Sequence, residues 1–391
     1  MLWVIGDIHG MFDPLKRLLE TIRDLEDTSG DKVEKIIFLG DYIDHGPSSR
    51  EVMDLIMKLD YETVCLAGNH EDMVLRFMAN EQYVLKQNGN IWSVNGYLDT
   101  YQSIFDSRDK YDIVNMAQKR LIDTGFFGGW GDESEMNSYK GIEIPKKYEK
   151  FLKSLRYSHQ EKFLVNGSEL SFAFFHALPS PKCTISEQKV AKYKDFNSLI
   201  LKKSKAELSK GGSKISEENL RRIFVSNVER SSIWQRMYRH DSDFEGEVVI
   251  HGHTPTTYYT DENVFYDHEI KKNHKNQFEK FDHSLFLPFL FSRSEGAQYR
   301  PDLNNRYQLV VGKRVELNRY VTDDANGIEA INIDTGAVYG GALTALGLSA
   351  THLAQNAMPL LTVSVADSQR DPRCKVRFRA IGFNKLGRVS P

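Results

Sequence analysis

Five short motifs carry the residue types that bind a pair of divalent metal ions: Gly6-Asp7-Ile8-His9-Gly10, Gly40-Asp41-Tyr42-Ile43-Asp44, Gly68-Asn69-His70-Glu71, Phe175-His176-Ala177 and His251-Gly252-His253-Thr254. Metal-assisted attack on phosphorus needs two cations close together, a ligand that bridges them, and open positions for water and substrate oxygens. Asp7 and His9, two residues apart after an apolar run, can reach one ion from a tight turn, and Asp41 can bridge to a second. Asn69, His176 and His253 then complete the second position. Carboxylate, amide and imidazole ligation without thiolate suits manganese, iron or zinc in a hydrolytic centre. Taken singly each motif reads as turn chemistry, and His176 alone reads as a core residue. All of them in this order point to a dinuclear site.

His70 adjoins Asn69, so it projects from the same turn toward a substrate, where a leaving alkoxide needs a proton. Imidazole titrates near neutrality, and a carboxylate that holds the protonated ring keeps it charged. Asp44 is the candidate for that carboxylate, its alternative being a solvated turn residue.

The elements that position these residues follow from periodicity. Leu2 to Ile5, Ile36 to Leu39 and Thr63 to Ala67 read as strands, separated by amphipathic helices, which is the pattern of βαβ units and a mainly parallel sheet. Asp13 is expected to cap the first helix, with Pro14 at its first position and Leu15, Leu18, Leu19 and Ile22 on one face. Ser48-Ser49 opens a second helix carrying Val52, Leu55, Ile56 and Leu59. Each strand runs directly into a metal-ligand motif, at the carboxyl ends where open α/β sheets keep their sites. Further along, Phe163 to Val165, the Asn166-Gly167 turn and Leu170 to Phe175 form a hairpin that delivers His176, and Val248 to Ile250 delivers the fifth motif. The Lys-rich stretch Lys202 to Lys214 reads as a solvated loop. Ile331 to Ile333 and Leu361 to Val365 read as strands of a second sheet. From Asp261 to Asp324 the alternation is lost, and the apolar cluster Leu285 to Phe291 is expected to pack this insertion onto the core.

The chain has 391 residues, 40% hydrophobic and 27% charged, with a formal net charge of −3, which describes a soluble globular protein with a substantial core. A near-neutral balance argues against wholesale nucleic-acid binding. No apolar run approaches a bilayer span, and Leu2 to Ile5 leads straight into the first motif, so neither a membrane segment nor a signal peptide is expected. Cys65, Cys183 and Cys374 lie far apart, as in a reducing cytoplasm.

These residues resemble the PPP branch of the calcineurin-like metallophosphoesterases, most closely its bacterial and phage serine/threonine phosphatases, and also the related diadenosine tetraphosphatases. The resemblance extends to Ser48-Ser49-Arg50-Glu51-Val52, Ile233-Trp234-Gln235-Arg236 and the late segment Ile333 to Gly341. It implies an α/β metallophosphoesterase fold, a central β-sandwich flanked by helices with the dinuclear site at strand ends, spanning residues 1–391 as one domain with insertions at about 180–222 and 261–324. It implies Asp7, His9 and Asp41 at the first ion, and Asp41, Asn69, His176 and His253 at the second. His253 is preferred to His251 because it occupies the histidine of a Gly-His-Thr-Pro pattern. A metal-bridging hydroxide would be the nucleophile and His70 the acid, supported by Asp44. Arg236 is expected to clamp phosphate, with Asn69 also facing it; the alternative for Arg236 is a surface arginine beside a buried Trp234.

The expected activity is metal-dependent hydrolysis of phosphomonoesters, with a phosphorylated protein or small phosphoester as partner. Hydrolysis of dinucleoside polyphosphates is the alternative, and a phosphate-binding scaffold without catalysis a third.

One departure bears on phosphate binding: the family pattern Asp-Arg-Gly stands here as Asp44-His45-Gly46. The clamp is then weaker, rebuilt from Arg50 or Arg76, or supplied by a protonated His45. A charge-assisted hydrogen bond is worth roughly 1.5 to 3 kcal/mol, about tenfold or more in affinity. If His45 binds phosphate only when protonated, substrate KM rises above about pH 6.5. A His45→Arg variant is expected to flatten that rise, and KM measured against pH checks it.

Overall fold

The computed structural model describes residues 1–78, 96–104, 144–180, 185–189, 192–210, 216–236, 247–256, 289–292, 297–299, 330–339, 341–355, 357–364 and 376–382. Twelve strands form two six-stranded sheets. The first has the order β12 (Val376–Gly382), β11 (Ala357–Ser364), β10 (Ala342–Leu348), β1 (Leu2–Ile5), β2 (Lys35–Phe38), β3 (Glu62–Cys65). The second has the order β4 (His159–Val165), β5 (Ser168–Phe174), β6 (Val248–His251), β9 (Ala330–Asn332), β7 (Phe289–Ser292), β8 (Ala297–Tyr299).

Alternation along the strands explains why the sheets stack. Leu2, Val4, Ile37, Leu39 and Val64 of the first sheet pack in one buried cluster with Phe172, Phe174, Val248, Ile250 and Ile331 of the second. Trp3, Ile5, Ile36 and Phe38 point the other way, onto Leu15, Leu18 and Ile22 of α1 (Phe12–Ser29) and Val52, Met53 and Ile56 of α2 (Ser49–Ile56). On the far side, Ala173, Phe175 and Val249 pack with Leu178 and Ile185. A period of two with both faces apolar is what a doubly covered sheet requires.

β1, β2 and β3 are parallel, as the βαβ pattern implies, and so are β5, β6 and β9. All the motifs therefore leave their strands at carboxyl ends. The sheet is not mainly parallel, however, because β10, β11 and β12 extend it as an antiparallel meander. Leu361 to Ser364 accordingly belongs to the first sheet and not, with Ile331, to the second. Both strands are short apolar runs, and nothing in such a run records which neighbour it pairs with. The Asn166-Gly167 turn has the two positive φ angles, 51° and 82°, of a tight hairpin.

Two local expectations also change. α1 begins at Phe12 with Met11 at its N-cap and no side-chain cap bond, so Asp13 lies inside the first turn, where its charge still favours the helix start. Lys202 to Lys210 belongs to a helix, α6 (Tyr193–Lys210), and is not a loop. Phe196, Ile200, Ser204 and Leu208 recur every fourth residue on its buried face, a stripe masked in the sequence by the lysines between them. Residues 211–215 and most of the 261–324 segment lie outside the described residues, although Phe289 to Phe291 of its apolar cluster pairs with β9 as a strand. Among the described residues no helix is long and apolar enough to cross a membrane.

α3 (Asn69–Met78) carries three motif residues at its start and is tied down at its far end. Arg76 Nε donates to Asp72 Oδ2 at 2.5 Å and Nη2 donates to Asn197 of α6 at 2.8 Å. Its guanidinium lies 5.4 Å from the Tyr193 ring and 5.8 Å from that of Phe224 in α7 (Glu217–Glu229). The Tyr157 hydroxyl donates to the other Asp72 oxygen. Arg76 is therefore a buried strut and does not replace the missing phosphate arginine. Arg76→Met would leave the buried Asp72 without its principal partner, so a stability loss of about 3 kcal/mol or more is expected by denaturant unfolding. Adding Asp72→Asn should recover part of it, because the two residues act as a unit.

Candidate metal centre

Backbone hydrogen bonds lace the strand-end loops together. The amides of Ile8 and His9 both donate to the Asp41 carbonyl, at 3.0 and 2.7 Å, and Gly10 N–H donates to Tyr42. Gly252 N–H donates to the His176 carbonyl at 2.8 Å, which brings the fourth and fifth motifs side by side. Close approach demands glycine at two of these points. A methyl group on Gly68 would lie 1.9 Å from Asp41 Oδ1, and one on Gly252 would lie 2.0 Å from Asp7 Oδ1.

The side chains then converge. Asp41 Oδ2 lies 3.4 Å from His9 Nε2, 3.3 Å from His176 Nε2 and 4.0 Å from His70 Nε2. Asn69 Oδ1 lies 3.0 Å from His176 Nε2 and 2.8 Å from His253 Nδ1. Donor atoms of Asp7, His9 and Asp41 gather within 4.8 Å of one another, and so do those of Asp41, His176 and His253. Asp41 belongs to both groups. His251 belongs to neither, and its Nδ1 instead faces the Gly252 carbonyl.

The hydrogen-bond logic of these rings favours cations between them. His9 Nδ1 is 2.9 Å from the Ile43 carbonyl, and His176 Nδ1 is 2.9 Å from that of Leu39. A carbonyl only accepts, so each Nδ1 carries the proton, and in the neutral ring that metal ligation requires each Nε2 would present a lone pair. Those lone pairs face the oxygens of Asp41 and Asn69, an arrangement of acceptors against acceptors that a metal ion resolves. Asp7 Oδ1 and His253 Nε2 are buried without any hydrogen-bond partner. The residues present therefore fit a pair of divalent ions.

Electrostatics divides the imidazoles. Burial lowers His9 to about 4, against the pull of Asp41, and burial with the nearby Arg236 charge puts His253 well below its ordinary value. Both are neutral, as ligands must be. His70 goes the other way. Burial would lower it, but the Asp41 charge and a 2.6 Å hydrogen bond from Nδ1 to Asp44 Oδ2 raise it to about 9. Burial raises Asp7, reinforced by Asp334 and Asp41, whereas the surrounding imidazoles hold Asp41 well below the carboxylate range despite its burial.

His45 and Arg236 stand at the edge of this cluster. The half-buried His45 ring lies 5.1 Å from that of His70 and 5.0 Å from that of His9. Arg236 Nη1 donates to Thr254 Oγ1 at 3.3 Å, and Trp234 beside it meets the His253 ring edge-on at 5.8 Å. Arg50 is exposed on α2, with its amide bonded to Ser103.

Sequence reasoning missed several residues that hold the site. Glu71 is fully buried, and its carboxylate accepts the amides of Asp41, Tyr42, Ile43 and Gly68. Burial and the Asp41 charge push it up to about 7, against the pull of the Gly68 amide bond. Asp334, buried behind Asp7, is pushed up to about 7 by burial and Asp41, while its bond from the Gly336 amide and the Arg236 charge oppose. Ser49 and Thr100 contact Asp44. Glu71 and Asp334 sat in motifs already noted, so an unexplained acid within a motif was the available signal. Thr100 had none.

A family model described as calcineurin-like phosphoesterase matches residues 1–257. The chain is similar to proteins named symmetrical bis(5'-nucleosyl)-tetraphosphatase. That of Thioalkalivibrio sulfidiphilus is 29% identical over 121 residues, 31% of this chain and 39% of the relative. That of Wigglesworthia glossinidia brevipalpis is 28% identical over 174 residues, 41% of this chain and 58% of the relative. The chain thus spans less than two thirds of either. Among solved structures it is similar to one titled a putative diadenosine tetraphosphatase, at 14% identity and a TM-score of 0.33, covering 98% of this chain and 94% of the other. A metallophosphoesterase from Sphaerobacter thermophilus aligns at 11% identity and a TM-score of 0.34, covering 98% and 88%.

Glu71→Gln would set an NH2 group against amide donors and remove the charge to which four of them donate. A loss of about 3 kcal/mol in denaturant unfolding is expected. Calorimetric titration with manganese should show weaker binding, because the Asp41 and Asn69 loops lose their common anchor.

Proposed function

We propose, from the premise that this chain belongs to the calcineurin-like phosphoesterase family, that it is a metal-dependent hydrolase of phosphomonoesters, with phosphoserine or phosphothreonine in proteins as its substrates. Asp7, His9 and Asp41 would hold one divalent ion, and Asp41, Asn69, His176 and His253 the other. When bound, the pair supplies Lewis-acid activation of water and neutralises phosphoryl oxygens. Arg236 and His45, at the edge of the cluster, would contact the phosphate together with Asn69.

The observation that carries this reading is His70. Its ring sits one residue from Asn69 and 4.0 Å from Asp41 Oδ2 through Nε2, while Nδ1 is engaged by Asp44 at 2.6 Å. A charged imidazole with its free N–H beside the ligand cluster is a proton donor for a leaving oxygen. The contrast with neutral His9 and His253 supports different roles, acid and ligand, for chemically identical side chains. An alkoxide, the leaving group of phosphoserine, needs that proton most.

Hydrolysis of dinucleoside polyphosphates is a second reading, favoured by the names of the relatives. Its leaving group is a nucleotide phosphate, a far better one than an alkoxide, so it depends less on an acid. Turnover of a phosphoserine peptide and of diadenosine tetraphosphate by the manganese-loaded chain separates the two. We expect the peptide to be favoured, and a kcat/KM at least about tenfold higher for the tetraphosphate, roughly 1.4 kcal/mol, would reverse the assignment. His70→Asn should lower kcat on the peptide by roughly a hundredfold or more, within the range of general acid catalysis. Asp41→Asn should abolish manganese-dependent activity on either, and activity without added metal in that variant would contradict the dinuclear reading.

A further inference from the structure

The helix α4 (Tyr97–Ile104) packs on the loop that carries Asp44, and its Thr100 is 2% exposed. The Thr100 hydroxyl donates to Asp44 Oδ1 at 2.5 Å and accepts the Asp44 backbone N–H at 2.7 Å. One hydroxyl thus grips both the main chain and the side chain of the same residue. The other carboxylate oxygen, Oδ2, is the one that faces His70 Nδ1. Asp44 has φ of 69°, a left-handed conformation that an aspartate keeps only when its surroundings fix it. Ser49 Oγ adds a longer contact, 3.3 Å from the Asp44 amide nitrogen and 3.1 Å from Thr100 Oγ1. Neighbouring contacts make α4 a brace for the whole loop. A methyl group on Gly96 would lie 2.3 Å from the His45 amide nitrogen, and Ser103 Oγ accepts the Arg50 amide at 2.8 Å.

We propose that Thr100 is a positioning residue of the proton-donating pair, orienting Asp44 so that its second oxygen holds the His70 ring with Nε2–H toward the leaving group. The inference rests on the acid role proposed for His70. In that step a water oxygen bonds to phosphorus and its proton passes to solvent, the bond between phosphorus and the leaving oxygen breaks with its electron pair on that oxygen, and the His70 Nε2 proton neutralises it. Thr100 exchanges no proton. It acts only through Asp44, which sets its signature apart from that of a residue that merely supports the fold.

Leaving-group dependence reads this out. p-Nitrophenyl phosphate and phenyl phosphate bind alike, but only the second, a poor leaving group, requires the acid. With the full chain loaded with manganese, Thr100→Val should lose about tenfold in kcat on phenyl phosphate and less than about twofold on p-nitrophenyl phosphate, with KM unchanged. Thr100→Ser, which keeps the hydroxyl, should restore both. In an Asp44→Asn background Thr100→Val should add nothing, as expected for residues acting in series. Ser49→Ala should give a milder form of the same pattern, which supplies the readout if Thr100→Val fails to fold. An equal loss on both substrates, no loss on either, or a loss that adds to that of Asp44→Asn would overturn the proposal. If His70→Asn itself fell equally on both substrates, the acid role would be wrong and Thr100 with it. If the wild-type chain hydrolysed neither, the phosphatase reading would be the one that failed.

Discussion

The Glu71 carboxylate accepts amides from Asp41, Tyr42 and Ile43 on one loop and from Gly68 on the next, and so fixes the ends of β2 and β3 against each other from inside the protein. The ligand geometry depends on that grip. Asp41 sits in a left-handed conformation with φ of 52°, and among the described residues the non-glycine positive φ angles are His9, Asp41, Asp44, His45 and His253, with only the hairpin Asn166 outside the site. Each such conformation costs roughly 1 to 3 kcal/mol unless neighbours impose it. A buried anion that collects four amides is a strong local restraint, because its burial leaves no water to take their place.

Burial in this centre would be ruinous if every ionisable group kept its ordinary charge. Asp7 and Asp41 each lie within reach of the charges of Glu71 and Asp334, and of each other. Burial would raise Asp41, but the His176, His70 and His9 rings hold it down, while Asp7, Glu71 and Asp334 are pushed up. A pair of divalent cations would reverse much of that push on Asp7, the carboxylate with an oxygen that bonds to nothing. The excess of buried negative charge is thus the counterpart of the metal ions for which the donor atoms are arranged.

How much of this could be read from the chain follows a physical division. The strands that carry the motifs were legible because they are apolar runs ending in glycine-rich turns, and the ligand types name their chemistry directly. Pairing was less legible. Leu361 and Ile331 lie in similar runs but in different sheets, since register and partner are set by packing that no single strand encodes. α6 was hidden because its buried stripe includes Ser204, whose hydroxyl is satisfied by the Ile200 carbonyl and so passes as polar surface in the sequence. Thr100 lies 56 residues from Asp44, and a single hydroxyl contact at that separation leaves no periodicity, composition or motif to detect.

The loop bearing the second motif is held from two sides, and the two sides serve different chemistry. Glu71 grips its start from within, at Asp41 to Ile43, where the donor atoms for the metal ions are set. α4 grips its end from without, at Asp44 and His45, beside the His70 ring proposed as proton donor. The backbone between them is only a few residues long, with Asp41, Asp44 and His45 all left-handed, so it transmits little slack. This division explains how arginine could give way to His45 without disturbing the ligands: the change falls on the outer side, past the last amide that Glu71 holds.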